Sequence, residues 1–439
     1  MAQSRRSFIK KAAAGIGLFT ILPREVFGKM GGDNNFVAPS DQLTRGIIGT
    51  GGIGMSGLHF ASDQRCRLVA VCDVDKYHLR KALDAGVEKF DTHLQPYSDW
   101  RDLVHDANVD IVHIATPSHW HGIMAVEAAK AGKDIFCEKP MTRTIGEGEK
   151  VVKAVHDYGR IFRLDTWFRF TDTFYGLGTT VEPLKKLVES GVLGWPLTVR
   201  ISGATGFAWK FYWTGKTGLT QEPIPEELNY DMWLGPAPYK PYNPHRVHQT
   251  FRGYWDYESG GLGDMGQHYI DPVQYILGKD DTYPVKVEVD APVQDADAVG
   301  IWRSITYTYE DGCKIILEGE GFESQGKVPY LEGPNGKVYQ GFECDIQGVQ
   351  DVQSFLNELP APAPRHTDCL DCVRTRQHFA LDEIIGHHSC TIVNIGSAAL
   401  RLNRTLNFDP KTCRFIGDDQ ANALINQPMR APWAQYMSV

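Results

Sequence analysis

The chain has 439 residues, a net charge of -9 and a pI near 5.9. That length exceeds what one hydrophobic core organises and predicts two domains. The acidic balance excludes a nucleic-acid or anionic-membrane partner, which needs clustered Lys and Arg, and no basic tract follows residue 11.

The N-terminus opens with Ser4-Arg5-Arg6-Ser7-Phe8-Ile9-Lys10, an apolar run from Ala12 to Leu22, and then small or polar residues. This order of charge, apolar core and small residues reads as a twin-arginine export signal over residues 1–28. It implies the twin-arginine machinery as a partner and a periplasmic location. The competing reading is an amphipathic helix with two chance arginines. No run of 18 uninterrupted apolar residues, long enough to span a bilayer, occurs in the chain. A Gly- and Asn-containing linker, 29–41, follows. The nine cysteines are scattered, and Cys369-Leu370-Asp371-Cys372 lacks the second pair or His pair that zinc requires, so they read as small buried hydrophobes.

From residue 42 to 165 apolar strands alternate with helical segments, the pattern of a parallel sheet with right-handed crossovers. Leu43 to Ile48 is a buried strand that runs into Gly49-Thr50-Gly51-Gly52-Ile53-Gly54. Glycines at that spacing allow a tight turn, a close approach of backbone to a pyrophosphate, and packing of the next helix on the strand. A second strand, Arg67 to Cys72, ends in Asp73, placed where a carboxylate meets a ribose diol. Asp73 could instead cap the helix beginning at Lys76, a task Asp75 can also take. A charge at Asp73 disfavours a 2′-phosphate, which leans the reading toward NAD and leaves NADP open. A third strand, Val109 to Ala115, leads into Thr116-Pro117-Ser118-His119-Trp120-His121, whose Thr116, Pro117, His119 and His121 are candidate cofactor contacts. A fourth, Asp134 to Cys137, delivers Glu138-Lys139-Pro140. An unpaired ammonium is costly in a core and proline ends the ladder, so Lys139 projects from a strand tip. Ligands of open α/β sheets bind at such tips, and Glu138 is assigned to hold the strand end or to meet the cofactor ribose. A strand from Arg160 to Asp165 completes the unit.

Residues 166–439 have longer alternating strands, as in Leu197 to Gly203, Val285 to Val289, Gly300 to Tyr309 and Lys314 to Gly319, the period of a sheet with one buried face. An aromatic-rich insertion, Phe207 to Tyr257, carries His245, His248 and Arg252 and suits a sugar, whose CH face lies on rings while its hydroxyls meet polar tips. From Thr367 the expectation is helix, loop, helix and a polar tail. In Gly260-Gly261-Leu262-Gly263-Asp264-Met265-Gly266-Gln267-His268-Tyr269-Ile270-Asp271, Asp264 and His268 are four apart and share a helix face. That spacing pairs a proton-accepting imidazole with an orienting carboxylate. The competing reading makes Asp264 a helix cap and His268 a buried, satisfied ring.

In this order, GTGGIG with Asp73, then TPSHWH, then EKP, then GLGDMGQHYID, the chain resembles the glucose-fructose oxidoreductase/inositol dehydrogenase (Gfo/Idh/MocA) family. The resemblance implies an α/β protein: a Rossmann domain with a doubly wound parallel sheet, then a C-terminal α/β domain with a large, mostly antiparallel open sheet used in homo-oligomers. It implies a nicotinamide cofactor; the glycine motif sets Gly49, Gly51, Gly52, Ile53 and Gly54 at its phosphates, and the export signal suits a nucleotide that is tightly bound. It assigns Lys139, Asp264 and His268 as catalytic; the candidate substrate contacts are Lys139, Arg169, Trp255, Asp264 and His268. No metal is expected. The implied reaction is hydride transfer from a secondary hydroxyl of a sugar, glycoside or cyclitol. Two alternatives stand: an NAD-dependent glycosidase working by transient oxidation and elimination, and a non-catalytic sugar-binding protein.

Overall fold

A computed structural model describes residues 41–439 except 58–62, 167, 171–172 and 322–326. The expected export signal lies outside the described residues, as does the linker up to residue 40. Six strands form the first sheet: β1 (Leu43–Ile48), β2 (Cys66–Cys72), β3 (Gln95–Tyr97), β4 (Ile111–Ile114), β5 (Asp134–Glu138) and β6 (Phe162–Asp165). All neighbours are parallel, in the order β3-β2-β1-β4-β5-β6. Because helices cover both faces, the strands are mostly apolar; Ile47, Val71, Ile111, Val112 and Ile135 are fully buried, with Arg45 and His113 buried among them. The order reverses between β1 and β4, which opens a crevice at their C-terminal ends. β3 has no counterpart in the sequence reading: it is a three-residue edge strand containing Pro96, too short to show a period.

The second sheet has nine strands: β7 (Thr198–Ile201), β8 (Lys286–Asp290), β9 (Ser304–Thr308), β10 (Lys314–Glu318), β11 (Leu331–Gly333), β12 (Gly336–Val338), β13 (Cys344–Ile346), β14 (Leu406–Asp409) and β15 (Arg414–Phe415). Their order is β13-β12-β11-β7-β10-β9-β8-β14-β15, antiparallel except for β7 with β10. Ile305, Tyr307, Ile315 and Leu317 point into the core, where the helices Gly260–Leu277 and Glu383–Leu402 lie. Gly266 lets these two helices close up, since a Cβ there would stand 3.1 Å from Val393. All eighteen residues of Gly260–Leu277 are buried, which fixes every side chain on it.

Two features correct the expectation for the C-terminal part. The segment after Leu402 is not simply a tail, for β14 and β15 extend the sheet. The last turn, Trp433–Met437, returns to the first domain, where Trp433 is 4% exposed and stands edge-on to Trp120 at 4.8 Å. Its few apolar residues carry no periodic signal; only the tertiary fold gives them a core to join. Cys369 and Cys372 are free and buried.

The aromatic insertion forms a small core of its own from Leu228, Tyr230, Trp233, Tyr242, Tyr254 and Tyr257. It is stitched to the end of β2: Asn229 N donates to Val74 O at 3.0 Å, and Lys76 N to Glu227 O at 3.0 Å. The insertion therefore overhangs the crevice.

Candidate active site

The crevice is a cavity of about 770 Å³, the size class of small-molecule and cofactor sites. Gly49, Gly51, Gly52 and Ile53 line one wall. Gly49 has φ +88°, and a Cβ on Gly54 would stand 1.8 Å from the Gly49 carbonyl oxygen, so the turn closes only with glycine at both positions. Cβ atoms on Gly51 and Gly52 would meet nothing within 4 Å. The bare backbone there forms an open cradle of the shape a dinucleotide pyrophosphate needs.

Asp73 lines the same wall. Its Oδ2 accepts from Thr50 N at 2.7 Å and Thr50 Oγ1 at 3.0 Å, and its Oδ1 from Asp75 N at 2.9 Å. Helix capping falls to Asp75, which accepts from Tyr77 N and His78 N.

Of the four candidates in the loop after β4, Thr116 and Pro117 line the cavity. The two histidines do not. His119 and His121 are each 1% exposed and act as struts. His119 Nε2 lies 3.1 Å from Trp233 O; His121 Nδ1 lies 2.8 Å from Pro140 O and its Nε2 2.8 Å from Thr116 O. His121 thus lies between the cofactor-side loop and the turn after Lys139, within reach of either carbonyl. Burial pushes both rings down, to about 3 for His119 and about 4 for His121, so each is neutral, and a neutral imidazole donates to only one carbonyl at a time.

Lys139 follows β5 directly and lines the cavity. Its Nζ donates to Asp264 Oδ1 at 2.9 Å and to Asp264 O at 2.6 Å. Asp264 also accepts from Lys210 Nζ at 2.8 Å and Arg252 Nε at 2.9 Å. Burial alone raises this carboxyl, but Lys139, Arg252 and Lys210 more than reverse that and hold it well below the usual carboxylate range. Asp264 lies inside the helix that begins at Gly260, with Ser259 at the cap, so it is an anchor for cations and no cap. His268, one turn on, is 5% exposed with its ring edge-on to Phe168 at 5.8 Å. Burial, and then Lys139, hold its imidazole far below its ordinary range. Among the described residues, Lys139 faces the cavity while Asp264 and His268 stand behind it.

Glu138 lines the cavity and is cross-strand partner to Asp165; its Oε1 lies 3.3 Å from His113 Nε2. Burial, and then Asp165, push it up. Two expected substrate residues are elsewhere. Arg169 is 1% exposed and saturated by Asp271 (2.8 Å from Nε and Nη2) and Asp280 (2.8 and 2.7 Å); its guanidinium is spent on holding the fold. Trp255 donates to Asp295 O at 3.0 Å and faces a second, small cavity beside Arg143 and Arg401. From the insertion, Trp213, Trp233, His248, Phe251 and Arg252 line the main cavity.

Sequence reasoning passed over Lys210 and Glu258. Glu258 lines the cavity at 4% exposure with Oε2 3.5 Å from Ser118 Oγ. Burial pushes it up to about 7, against the pull of Arg252. The only signal was an acid two residues ahead of Gly260-Gly261; its burial arises from loops distant in the chain.

Comparison with known proteins agrees with this geometry. Residues 43–166 match the profile "Oxidoreductase family, NAD-binding Rossmann fold" and residues 177–435 the profile "Oxidoreductase family, C-terminal alpha/beta domain". The chain is 32% identical over 159 residues to inositol 2-dehydrogenase of Salmonella typhimurium, covering 36% of this chain and 44% of that protein. It is 29% identical over 211 residues to levoglucosan dehydrogenase of Pseudarthrobacter phenanthrenivorans, covering 47% and 44%. These matches span less than half the length of either relative. In structure it is similar to the WlbA dehydrogenase of Bordetella pertussis, solved with NADH and UDP-GlcNAcA, with TM-score 0.57 and 18% identity over 84% of this chain and 99% of that one. The chain belongs to the Gfo/Idh/MocA oxidoreductase family.

Proposed function

We propose that this member of the family oxidises a secondary hydroxyl of a sugar, glycoside or cyclitol, with NAD as its cofactor. One observation carries the reading: Lys139 lines the cavity that holds the glycine cradle and is at the same time locked to Asp264. A nicotinamide, when bound, supplies the hydride acceptor. Gly51 and Gly52 fit its pyrophosphate and Asp73 its ribose diol, so the charge on Asp73 favours NAD over NADP.

The chain's own part is positioning and proton handling. Lys139 donates a hydrogen bond to the reacting oxygen and stabilises the alkoxide as it develops. Asp264 keeps the ammonium in place, and His268, neutral through burial and set behind Lys139 one turn on from Asp264, is the group we assign to the hydroxyl proton. Trp213, Trp233 and Phe251 offer faces for the sugar ring. The stitched insertion supports a nucleotide that stays bound. It suits export through the twin-arginine route with the nucleotide already loaded, and a periplasmic homo-oligomer is the form we expect.

The test is product analysis with a panel of sugars, glycosides and cyclitols. A keto product with stoichiometric reduced nucleotide is expected. Release of free sugar from a nitrophenyl glycoside with no net reduction would replace this reading by oxidation-assisted elimination. Mass spectrometry of the denatured protein should find NAD, and a preparation without nucleotide and with millimolar affinity for it would sink the retained-cofactor idea.

A further inference from the structure

The substrate end of the cavity is out of charge balance. Three cations, Lys139, Lys210 and Arg252, converge on the single carboxylate of Asp264. Two further acids line the cavity: Glu258, 4% exposed, which burial pushes up to about 7 against the pull of Arg252, for which it is the largest counter-charge, and Glu138, which burial also pushes up. His268, behind Lys139, is neutral. With both of those acids pushed toward neutrality by burial, positive charge is in excess around the mostly buried Lys139 and Arg252, while Lys210 is 37% exposed; such an excess is costly unless a ligand brings the counter-charge.

Arg252 is built to receive it. Its Nε is fixed on Asp264 at 2.9 Å and its Nη1 on Gln249 O at 3.1 Å. Its guanidinium carbon lies 5.1 Å from the Trp213 ring and 4.8 Å from the Phe251 ring. Among the described residues its Nη2 has no partner, and the residue lines the same cavity as Lys139. A held guanidinium with spare donors is the group that takes a planar oxyanion.

We propose that the substrate is a sugar acid, a uronate or aldonate, whose carboxylate is received by Arg252 while the reacting hydroxyl lies at Lys139. This inference rests on the dehydrogenase reading of the same site and adds its substrate class. The same oxyanion chemistry could come from the cofactor's pyrophosphate, and the experiment separates the two.

Nucleotide-loaded protein is assayed with glucuronate, galacturonate and gluconate against glucose, galactose and methyl glucoside. The acids should lead in kcat/KM by about 10- to 100-fold, the worth of a charge-assisted hydrogen bond. That lead should shrink as ionic strength rises, because screening acts on the charged substrates alone. Arg252→Gln should bring the acid-to-neutral ratio to about one, and Arg252→Lys should keep part of it. If Arg252→Gln does not fold, Lys210→Met should lower the same ratio by removing a second charge. A wild-type preference for neutral sugars, or a ratio indifferent to both substitutions, overturns the proposal. Loss of nucleotide from purified Arg252→Gln with the ratio intact assigns the guanidinium to the pyrophosphate and overturns it too. Calorimetry keeps the two readings apart: glucuronate bound by wild type, not by Arg252→Gln, and never oxidised would defeat the dehydrogenase reading while the anion site stood.

Discussion

Lys139 is positioned by groups that meet only in the folded chain: the strand β5 that carries it, the Pro140 carbonyl within reach of His121, and Asp264 more than a hundred residues on. Replacing it by Met should lower kcat by about 10²- to 10³-fold, the usual cost of losing one donor to a developing oxyanion. Nucleotide content by mass spectrometry should be unchanged, because the cradle is made by other residues. Arg169 calls for a different expectation. Arg169→Met leaves Asp271 and Asp280 facing each other with the guanidinium gone, at a cost of about 3–5 kcal/mol, readable as a lowered midpoint in urea. The motif residues were legible because glycine turns, strand-tip charges and i,i+4 spacings are local facts. Arg169 and Trp255 were not, since what they touch is decided by Asp271, Asp280 and Asp295, which no local spacing reveals.

At the level of elements, the glycine turn and the buried helix do most to place the chemistry. Gly54→Ala would drive a Cβ into the backbone oxygen of Gly49, which lies 1.8 Å away and cannot yield as a side chain does. The turn must open, and the purified protein should carry markedly less nucleotide by absorbance at 260 nm. A wild-type level of nucleotide would show that the turn tolerates the methyl. The parallel strands could be read from sequence because burial on both faces makes them mostly apolar runs. The second sheet was legible only in β7 to β10, where alternation is long enough to show. β3, β11, β12, β13 and β15 have two or three residues each, and a period of two needs more than that to declare itself. The insertion was legible as an aromatic region but not as a cover, because its attachment to Val74 and Lys76 is made by backbone groups, which carry no sequence signature.

The whole molecule stores two opposing sets of buried titratable groups. His119, His121 and His387 are pushed down by burial to about 3, 4 and 3. Each stabilises fully above its unfolded value of 6.5, and that contribution is lost as pH falls toward the folded value, because only the unfolded chain takes up the proton. Glu258 and Glu383 are pushed up to about 7 by burial. Their contribution is complete below 4.5 and is lost as pH rises toward 7. Between about pH 4.5 and 6.5 the two sets oppose each other and stability should change little. Below that the carboxyls are protonated in both states, and the histidines alone, reinforced by the depressed Asp264, should make the melting temperature fall steeply with acid. A melting temperature that held level down to pH 3 would contradict neutral burial of these rings. The turn Trp433–Met437 bears on the order of events in synthesis. Trp433 and Met437 belong to the core that Trp100, Trp120 and Val126 build near the start of the chain. A ribosome that has completed the nucleotide-binding sheet has therefore not yet supplied all of its core. The first domain to be made is the last to be finished, and a chain stopped short of Trp433 should expose the faces of Trp100 and Trp120 that it had long since translated.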